Sequence, residues 1–360
     1  MTNARAQRCL APGCRIRVLV VDDSVVIRRL VTHALEEEPL IEVVGAASNG
    51  ALALERIPQL NPDAITLDVE MPEMDGLEAL RRIRQLYPEL RVIMFSTLTA
   101  RGAASTFEAL ALGADDYVTK AANVGSLEQS IARLRGELIP KIKQFFTFPG
   151  PPVVPRPVTM LPLLPVRGLR PKVLAIGVST GGPAALGAIM PLFSAGFPLP
   201  ILIVQHMPPM FTRLLAERLQ SNSKLKIEEA AQGARVEPGT VLIAAGDYHL
   251  RLRKEGAGVT ACLDQSVPEN SCRPAVDVLF RSVSEVYGGA ALAVILTGMG
   301  QDGLRGVRSL KALGAYVIAQ DKASSVVWGM PGAVVDAGLA DCVVPLDGVV
   351  PEIVRQIGGN

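Results

Sequence analysis

The sequence predicts an α/β protein of two doubly wound parallel-sheet domains, and three observations carry that prediction. Short β-branched runs alternate with amphipathic stretches in strand–helix order over two separate segments. A proline-dense stretch with neither helical nor strand period lies between them. With 360 residues, 49% hydrophobic and 20% charged, the chain is long enough to bury two cores.

Taken in order, residues 1–15 read as a flexible tail, since their arginines precede an apolar stretch too short for a signal-peptide core. Over 16–138, "RVLVV", "VVIRRLVTHALEE", "IEVVGAA", "GALALERIPQL", "AITLD", "GLEALRRIRQLY", "RVIMFS", "TFEALALG", "DYVTK" and "SLEQSIARLRGEL" give five strands alternating with five helices. An interdomain linker is placed at 139–170, centred on "FTFPGPPVVPRPVTMLPLLPVRGLRP"; structureless loops of that length are uncommon inside compact domains. The second domain, 171–360, resumes the rhythm with "KVLAIGVS", a helix from about Pro183, "PILIVQH" and "PMFTRLLAERLQ". A glycine-rich stretch through "GTVLIAAGDYHLRLRKEGAGVTACL" reads as an inserted hairpin. After it come "AVDVLFRSVSEVYG", "AALAVILTG", "GLRGVRSLKALG", "AYVIAQD", "GMPGAVVDAG" and a last helix, "GVVPEIVRQIG".

Composition narrows the function. A formal net charge of +1 argues against a broad electrostatic footprint for nucleic acid or anionic membrane. Five scattered cysteines, Cys9, Cys14, Cys262, Cys272 and Cys342, form no C-x-x-C pair, which fits a reducing cytoplasm. No segment is apolar for long enough to span a bilayer.

In a parallel sheet, ligands collect at the carboxyl ends of the strands. In the first domain those ends carry Asp22 and Asp23, Asp68, Ser96 and Lys120. Converging carboxylates repel unless a cation shares them, so an oxygen-seeking ion such as Mg²⁺ is the expected occupant. Asp68 can then serve as an oxygen nucleophile toward a phosphoryl group, with Lys120 neutralising its oxygens and Ser96 following the added charge as a switch. Any one of these residues alone reads as a cap or turn former. Their joint placement on four strand ends does not.

In the second domain "GVSTG", Gly177 to Gly181, matches G-x-S-x-G, the pattern that projects a serine from a sharp strand-to-helix turn. The same glycines could hold a dinucleotide phosphate, although the spacing is not G-x-G-x-x-G and the next strand ends in Gln205-His206 rather than a ribose-binding acid. His206 is placed to take the proton of Ser179, and Asp302, in "LTGMGQDGLRG", to orient the imidazole; Asp302 could also cap the helix that follows it. Of the other histidines, His33 reads as a surface residue, and His249 as either substrate-facing or structural. A phospho-regulated nucleotide-binding module and a scaffold without catalysis are the alternatives.

"VDDS", "LDVEMPEMDGLE", "MFST" and "DYVTKA" resemble the CheY-like receiver domain of two-component response regulators. The resemblance implies a phospho-acceptor at Asp68, an acidic metal pair at Asp22 and Asp23, and a metal-binding carbonyl at Glu70. It further implies a switch hydroxyl at Ser96, a switch aromatic at Tyr117 and the receiver lysine at Lys120. Ala121 departs from the proline common after that lysine. "AIGVSTGGP", "VQHMPPMFT", "PAVDVLFRSV", "ILTGMGQDG" and "AQDKASSVVWGMPGA" resemble the Rossmann-like catalytic domain of the chemotaxis protein-glutamate methylesterases. That resemblance implies a triad of Ser179, His206 and Asp302, with Met299 near the active site; Cys272-Arg273-Pro274 stands where relatives often have His-Arg-Pro. Together the two imply a cytoplasmic, phosphorylation-activated serine hydrolase that demethylates glutamate γ-methyl esters on chemoreceptors and deamidates receptor glutamines. They further imply Mg²⁺ for receiver phosphorylation, no cofactor for the esterase chemistry, a chemotaxis histidine kinase as phosphodonor, and neither nucleic-acid binding nor membrane insertion.

Overall fold

The alternating runs fold into strands and helices grouped in two units, Arg5–Val154 and Pro155–Asn360. The computed structural model describes residues 7–97, 99–120, 127–148 and 170–358. In the first unit β1 (Arg8–Cys9) and β2 (Ile16–Val21) precede α1 (Val25–Glu36), β3 (Ile41–Ala47), α2 (Gly50–Leu60), β4 (Ala64–Asp68) and α3 (Gly76–Leu86). Next come β5 (Arg91–Ser96), α4 (Ala100–Ala111), β6 (Asp116–Thr119), α5 (Leu127–Lys143) and β7 (Phe146–Thr147).

Strands β2 to β6 form one parallel sheet in the order β3-β2-β4-β5-β6. The chain turns to one side of β2 and then to the other, which opens a crevice at the carboxyl ends of β2 and β4. β4 and β5 are buried along their whole length, so their sequences read as near-continuous apolar runs. Each of the first four helices begins on a capping side chain: Ser24, Asn49, Asp75 and Thr99 accept from the amides of Ile27, Leu52, Glu78 and Gly102. Gly76 follows Asp75 because a Cβ there would lie 2.0 Å from the carbonyl oxygen of Asp68, so α3 starts hard against the end of β4.

Two segments differ from expectation. The tail is not free from residue 8 onward, because β1 pairs in parallel with β7, and the Arg8 guanidinium lies 2.6 Å from Asp63. Helix α5 continues to Lys143, past the expected boundary at 138, since Leu138 and Ile142 on it, and Phe145 just beyond, are fully buried. The proline content of the following stretch drew the boundary too early, and a two-residue strand is too short to show a period. Residues 149–169, the bulk of the expected linker, and Ala121 lie outside the described residues.

In the second unit β8 (Val173–Val178), α6 (Gly182–Ile189), β9 (Ile201–Gln205), α7 (Phe211–Ser221), β10 (Lys226–Glu229) and β11 (Thr240–Ile243) build one side. The hairpin β12 (His249–Glu255) and β13 (Gly258–Asp264) follows, then α8 (Val276–Tyr287), β14 (Ala291–Ile295), α9 (Leu304–Ala312), β15 (Tyr316–Gln320), α10 (Met330–Asp336), β16 (Cys342–Val344) and α11 (Val349–Gly358). Seven strands form a parallel sheet in the order β10-β11-β9-β8-β14-β15-β16, and the antiparallel hairpin stands outside it. Again the chain passes first to one side of β8 and then to the other, leaving β9, β8 and β14 adjacent, with a crevice at their carboxyl ends. Helices α6 to α9 have no capping side chain at their own N-cap positions, in contrast to the first unit.

Candidate active site

At the end of β8 the chain turns sharply through Ser179 into α6, and each glycine of the turn gives way to protein atoms. A Cβ on Gly177 would lie 2.4 Å from Val276 Cγ1, one on Gly181 2.7 Å from Val326 Cγ2, and one on Gly182 1.9 Å from Gln205 Oε1. Gly181 also adopts φ 78°, the left-handed region that favours glycine. These glycines therefore serve packing around the serine and leave no cradle for a phosphate, which counts against the dinucleotide alternative. Ser179 is half-buried, and its hydroxyl has no hydrogen-bond partner among the described residues.

His206 follows β9 as Ser179 follows β8. Val178 and Gln205 are register partners, and the His206 amide donates to the Val178 carbonyl at 3.2 Å. From the other side, the Ser179 amide donates to the Thr297 carbonyl, just past β14, at 3.0 Å. The loop after Thr297 delivers Asp302, whose Oδ2 lies 2.8 Å from His206 Nε2. Sequence-predicted Ser179, His206 and Asp302 thus meet at the ends of three neighbouring strands.

Asp302 was expected to cap α9 if it capped anything. Instead its carboxylate accepts the Val276 amide at 2.7 Å and the Asp277 amide at 3.0 Å, and so caps α8, whose start lies 26 residues earlier in the chain. Asp277 returns the arrangement, accepting the Gly306 amide in the first turn of α9 at 2.7 Å. Between the two acids, the Asn270 side-chain amide donates to Asp302 Oδ1 at 2.8 Å and to Asp277 Oδ2 at 3.0 Å. Burial alone would push the Asp302 carboxyl up, but His206 and the α8 amides outweigh it and hold the group below the usual carboxylate range. Burial, only partly offset by the Gly306 amide, pushes Asp277 the other way.

Burial of the His206 ring disfavours its charge, yet Cys272 and Asp302 beside it more than compensate, and the imidazole is pushed up to about 10. Cys272, noted in the sequence only as a departure from the relatives, is therefore a neighbour of the candidate base. Replacing it with alanine removes part of what favours the imidazolium. We expect the His206 titration followed by NMR, in a chain with three histidines, to move to lower pH in Cys272→Ala; an unmoved midpoint would mean that the sulfur has no influence on the ring. His249 resolves as structural: it is fully buried, its Nε2 lies 3.2 Å from the Val267 carbonyl, and its Nδ1 accepts the Ala275 amide. His33 is 59% exposed and 3.8 Å from Glu37, and Met299 is at the surface.

In the first unit the strand ends bring together Asp22, Asp68 and Lys120, with the ammonium 2.8 Å from Asp22 and 2.7 Å from Asp68. Asp22, Asp23 and Asp68 each offer a carboxylate oxygen within 4.8 Å of the others. Burial pushes Asp68 up to about 6 despite Lys120, and the Asp22 charge adds to the rise. An all-oxygen set of three carboxylates, whose charge the single Lys120 ammonium does not balance, fits a hard divalent cation. The Glu70 side chain points elsewhere, to Arg101 at 3.3 Å, which leaves its main-chain carbonyl as the group to consider. Ser96 is buried and donates to the Gly102 carbonyl in α4 at 2.9 Å. Tyr117 is buried beneath the Lys141 ammonium, 4.8 Å from its ring centre.

A crevice of acids and one lysine on a β3-β2-β4-β5-β6 sheet, and a serine, histidine and aspartate on a second parallel sheet, define a class: a response-regulator receiver joined in one chain to an α/β hydrolytic domain. Comparison with known proteins agrees. The CheB methylesterase family matches residues 174–353 and the response regulator receiver domain matches residues 18–132. The protein-glutamate methylesterase/protein-glutamine glutaminase of Trichodesmium erythraeum is 52% identical over 96% of this chain and 99% of its own length. The protein of the same name from Thermotoga maritima is 42% identical over 95% and 98%. The crystal structure of the Thermotoga maritima CheB methylesterase catalytic domain covers 52% of this chain and 99% of that one, with 45% identity and a TM-score of 0.51. The chain belongs to the CheB methylesterase family.

Proposed function

We propose that the second unit hydrolyses glutamate γ-methyl esters on chemoreceptors, giving glutamate and methanol, deamidates receptor glutamines by the same route, and is switched on by phosphorylation of Asp68. The His206–Asp302 hydrogen bond beside Ser179 is the observation that carries this reading, together with the names of relatives aligned over nearly their full length. With Nε2 of His206 engaged by Asp302, Nδ1 takes the Ser179 proton as Oγ attacks the ester carbonyl in those molecules whose ring is neutral, and because the ring is pushed up to about 10 that fraction, and with it the rate, grows as pH rises toward that value. The same proton then goes to the departing methoxide, which leaves as methanol, or to the departing NH₂ group of a glutamine amide, which leaves as ammonia. Water, deprotonated in turn by His206, releases the glutamate and restores the serine. Asp302 holds the ring in one tautomer and stabilises its charge. None of these steps calls for a cofactor.

In the receiver, Asp22, Asp23, Asp68 and the carbonyl of Glu70 would hold a divalent cation, Mg²⁺, which when bound supplies positive charge for phosphoryl oxygens. Asp68 is the acceptor, and Lys120, already ion-paired with it, neutralises the added charge. Ser96 exchanges the Gly102 carbonyl for a phosphoryl oxygen, and Tyr117 responds as the aromatic member of the switch. The phosphodonor is a chemotaxis histidine kinase. Five free thiols fit a cytoplasmic site of action, and no described helix is long and apolar enough to cross a membrane.

The test is methanol release from methyl-labelled chemoreceptor cytoplasmic fragments with Mg²⁺ and acetyl phosphate. Wild type is expected to release methanol faster with the phosphodonor, and Asp68→Asn to lose that increment. No release from any receptor fragment would remove the substrate assignment. Undiminished stimulation of Asp68→Asn would remove the acceptor assignment.

A further inference from the structure

Gln205, the last residue of β9, is 2% exposed and carries an arrangement that packing alone does not explain. Its Nε2 donates to two main-chain carbonyls, that of Ser179 at 3.0 Å and that of His206 at 3.3 Å. One amide group therefore joins the turn bearing the serine to the turn bearing the histidine. The other atom of the same amide, Oε1, is buried with no hydrogen-bond partner. Rotating the amide would only worsen matters, since it would set Oε1 against both carbonyls. A buried polar atom left unpaired costs about 1–3 kcal/mol, and an apolar side chain of similar size would avoid that cost. Gly182 is shaped around the same group: a Cβ there would lie 1.9 Å from Oε1.

We infer that Gln205 is a positioning residue, whose amide fixes the spacing between the Ser179 and His206 turns. This rests on the reading of Ser179 and His206 as nucleophile and base. Main-chain bonds tie the two turns together only at their strand ends, not at the Ser179 and His206 carbonyls beyond them. The Ser179 carbonyl accepts the Gly182 amide within its own turn, and the His206 amide reaches back to Val178 on β8. Among the described residues, the Gln205 side chain is the one that hydrogen-bonds to the main chain of both Ser179 and His206. A side chain without donors would leave strands and core in place and allow the two turns to drift apart. Displacement on the order of 1 Å between reacting groups costs about 10²-fold in rate.

The experiment compares the full-length wild type with Gln205→Met, Gly182→Ala and Ser179→Ala, measuring kcat, KM and pH profile for methanol release, and thermal unfolding. Methionine matches the length of glutamine, offers no donor and removes the unpaired oxygen. Gln205→Met is expected to lower kcat by roughly 10²-fold, to leave KM within about twofold and the pH midpoints unmoved, and to unfold within a few degrees of wild type, since the relief of the unpaired oxygen offsets the loss of the two donated bonds. Gly182→Ala displaces the amide without altering its chemistry, at a helical position where alanine is otherwise favourable, and it tests the inference should the methionine variant fail to fold. The same loss of kcat is expected there. Unchanged kcat in both variants, or a fall matched by the loss of folded protein, overturns the inference. Should Ser179→Ala remain active, the reading beneath it fails; should Ser179→Ala be inert while Gln205→Met and Gly182→Ala keep full kcat, only the inference fails.

Discussion

Ser179→Ala is expected to lower kcat for methanol release by about 10⁴-fold to 10⁶-fold while leaving the unfolding temperature where it is. The pairing of these two outcomes follows from the geometry. The Ser179 hydroxyl has no hydrogen bond to lose among the described residues. The turn is held by its main chain: the amide to Thr297 at 3.0 Å, the carbonyl from Gly182 at 2.8 Å and from Gln205 at 3.0 Å. Alanine keeps all of these contacts. Thermal unfolding beside the methanol assay decides the matter. A stability loss of several degrees would show that the hydroxyl holds the fold, and retained turnover would remove Ser179 as nucleophile.

Asp302→Asn should damage both activity and fold. The carboxylate receives five donors: the amides of Val276, Asp277 and Gly303, the side chain of Asn270 and the ring of His206. An asparagine offers one acceptor oxygen and turns an NH₂ toward donors on the other side. Whichever way the amide is placed, at least one buried N–H faces another N–H, at about 1–3 kcal/mol, and an NH₂ turned to His206 forces the ring into the opposite tautomer. The negative charge at the start of α8 is lost as well. We expect kcat to fall by about 10⁴-fold and the unfolding temperature to drop by several degrees. Loss of activity at unchanged stability would deny the capping role, and normal turnover would deny that Asp302 orients the base.

What could be read from the sequence depended on how far apart in the chain the interacting groups lie. The receiver helices announce themselves because Ser24, Asn49 and Asp75 cap amides three residues later. The strand-end acids were legible because a parallel sheet sends every such residue to the same edge. In the second unit Ser179 and His206 were legible for the same reason. The caps of α8 and α9 were not, since Asp302 and Asp277 reach them from 25 to 29 residues away. Asn270 and Cys272 gave no periodic signal, being in a short turn whose two central residues, Asn270 and Ser271, adopt φ 50° and 61°. His249 could not be settled from its neighbours in sequence, because its partners at 267 and 275 come from the other end of the hairpin insertion. The overlong reading of the linker has a compositional cause: prolines dominate after residue 148, but the apolar anchors of α5 persist to Phe145.

The hold on Asp302 has an evolutionary consequence. Three of its five donors are main-chain amides, and an amide comes with every amino acid except proline. Asp302 therefore places no demand of its own on the side chains at 276, 277 and 303, where the constraints are others: the Asp277 bond to Gly306 and the φ of 94° at Gly303. The partners of Asp302 are thus encoded as side chains only at 206 and 270, while the rest of its hold is copied along with the path of the chain.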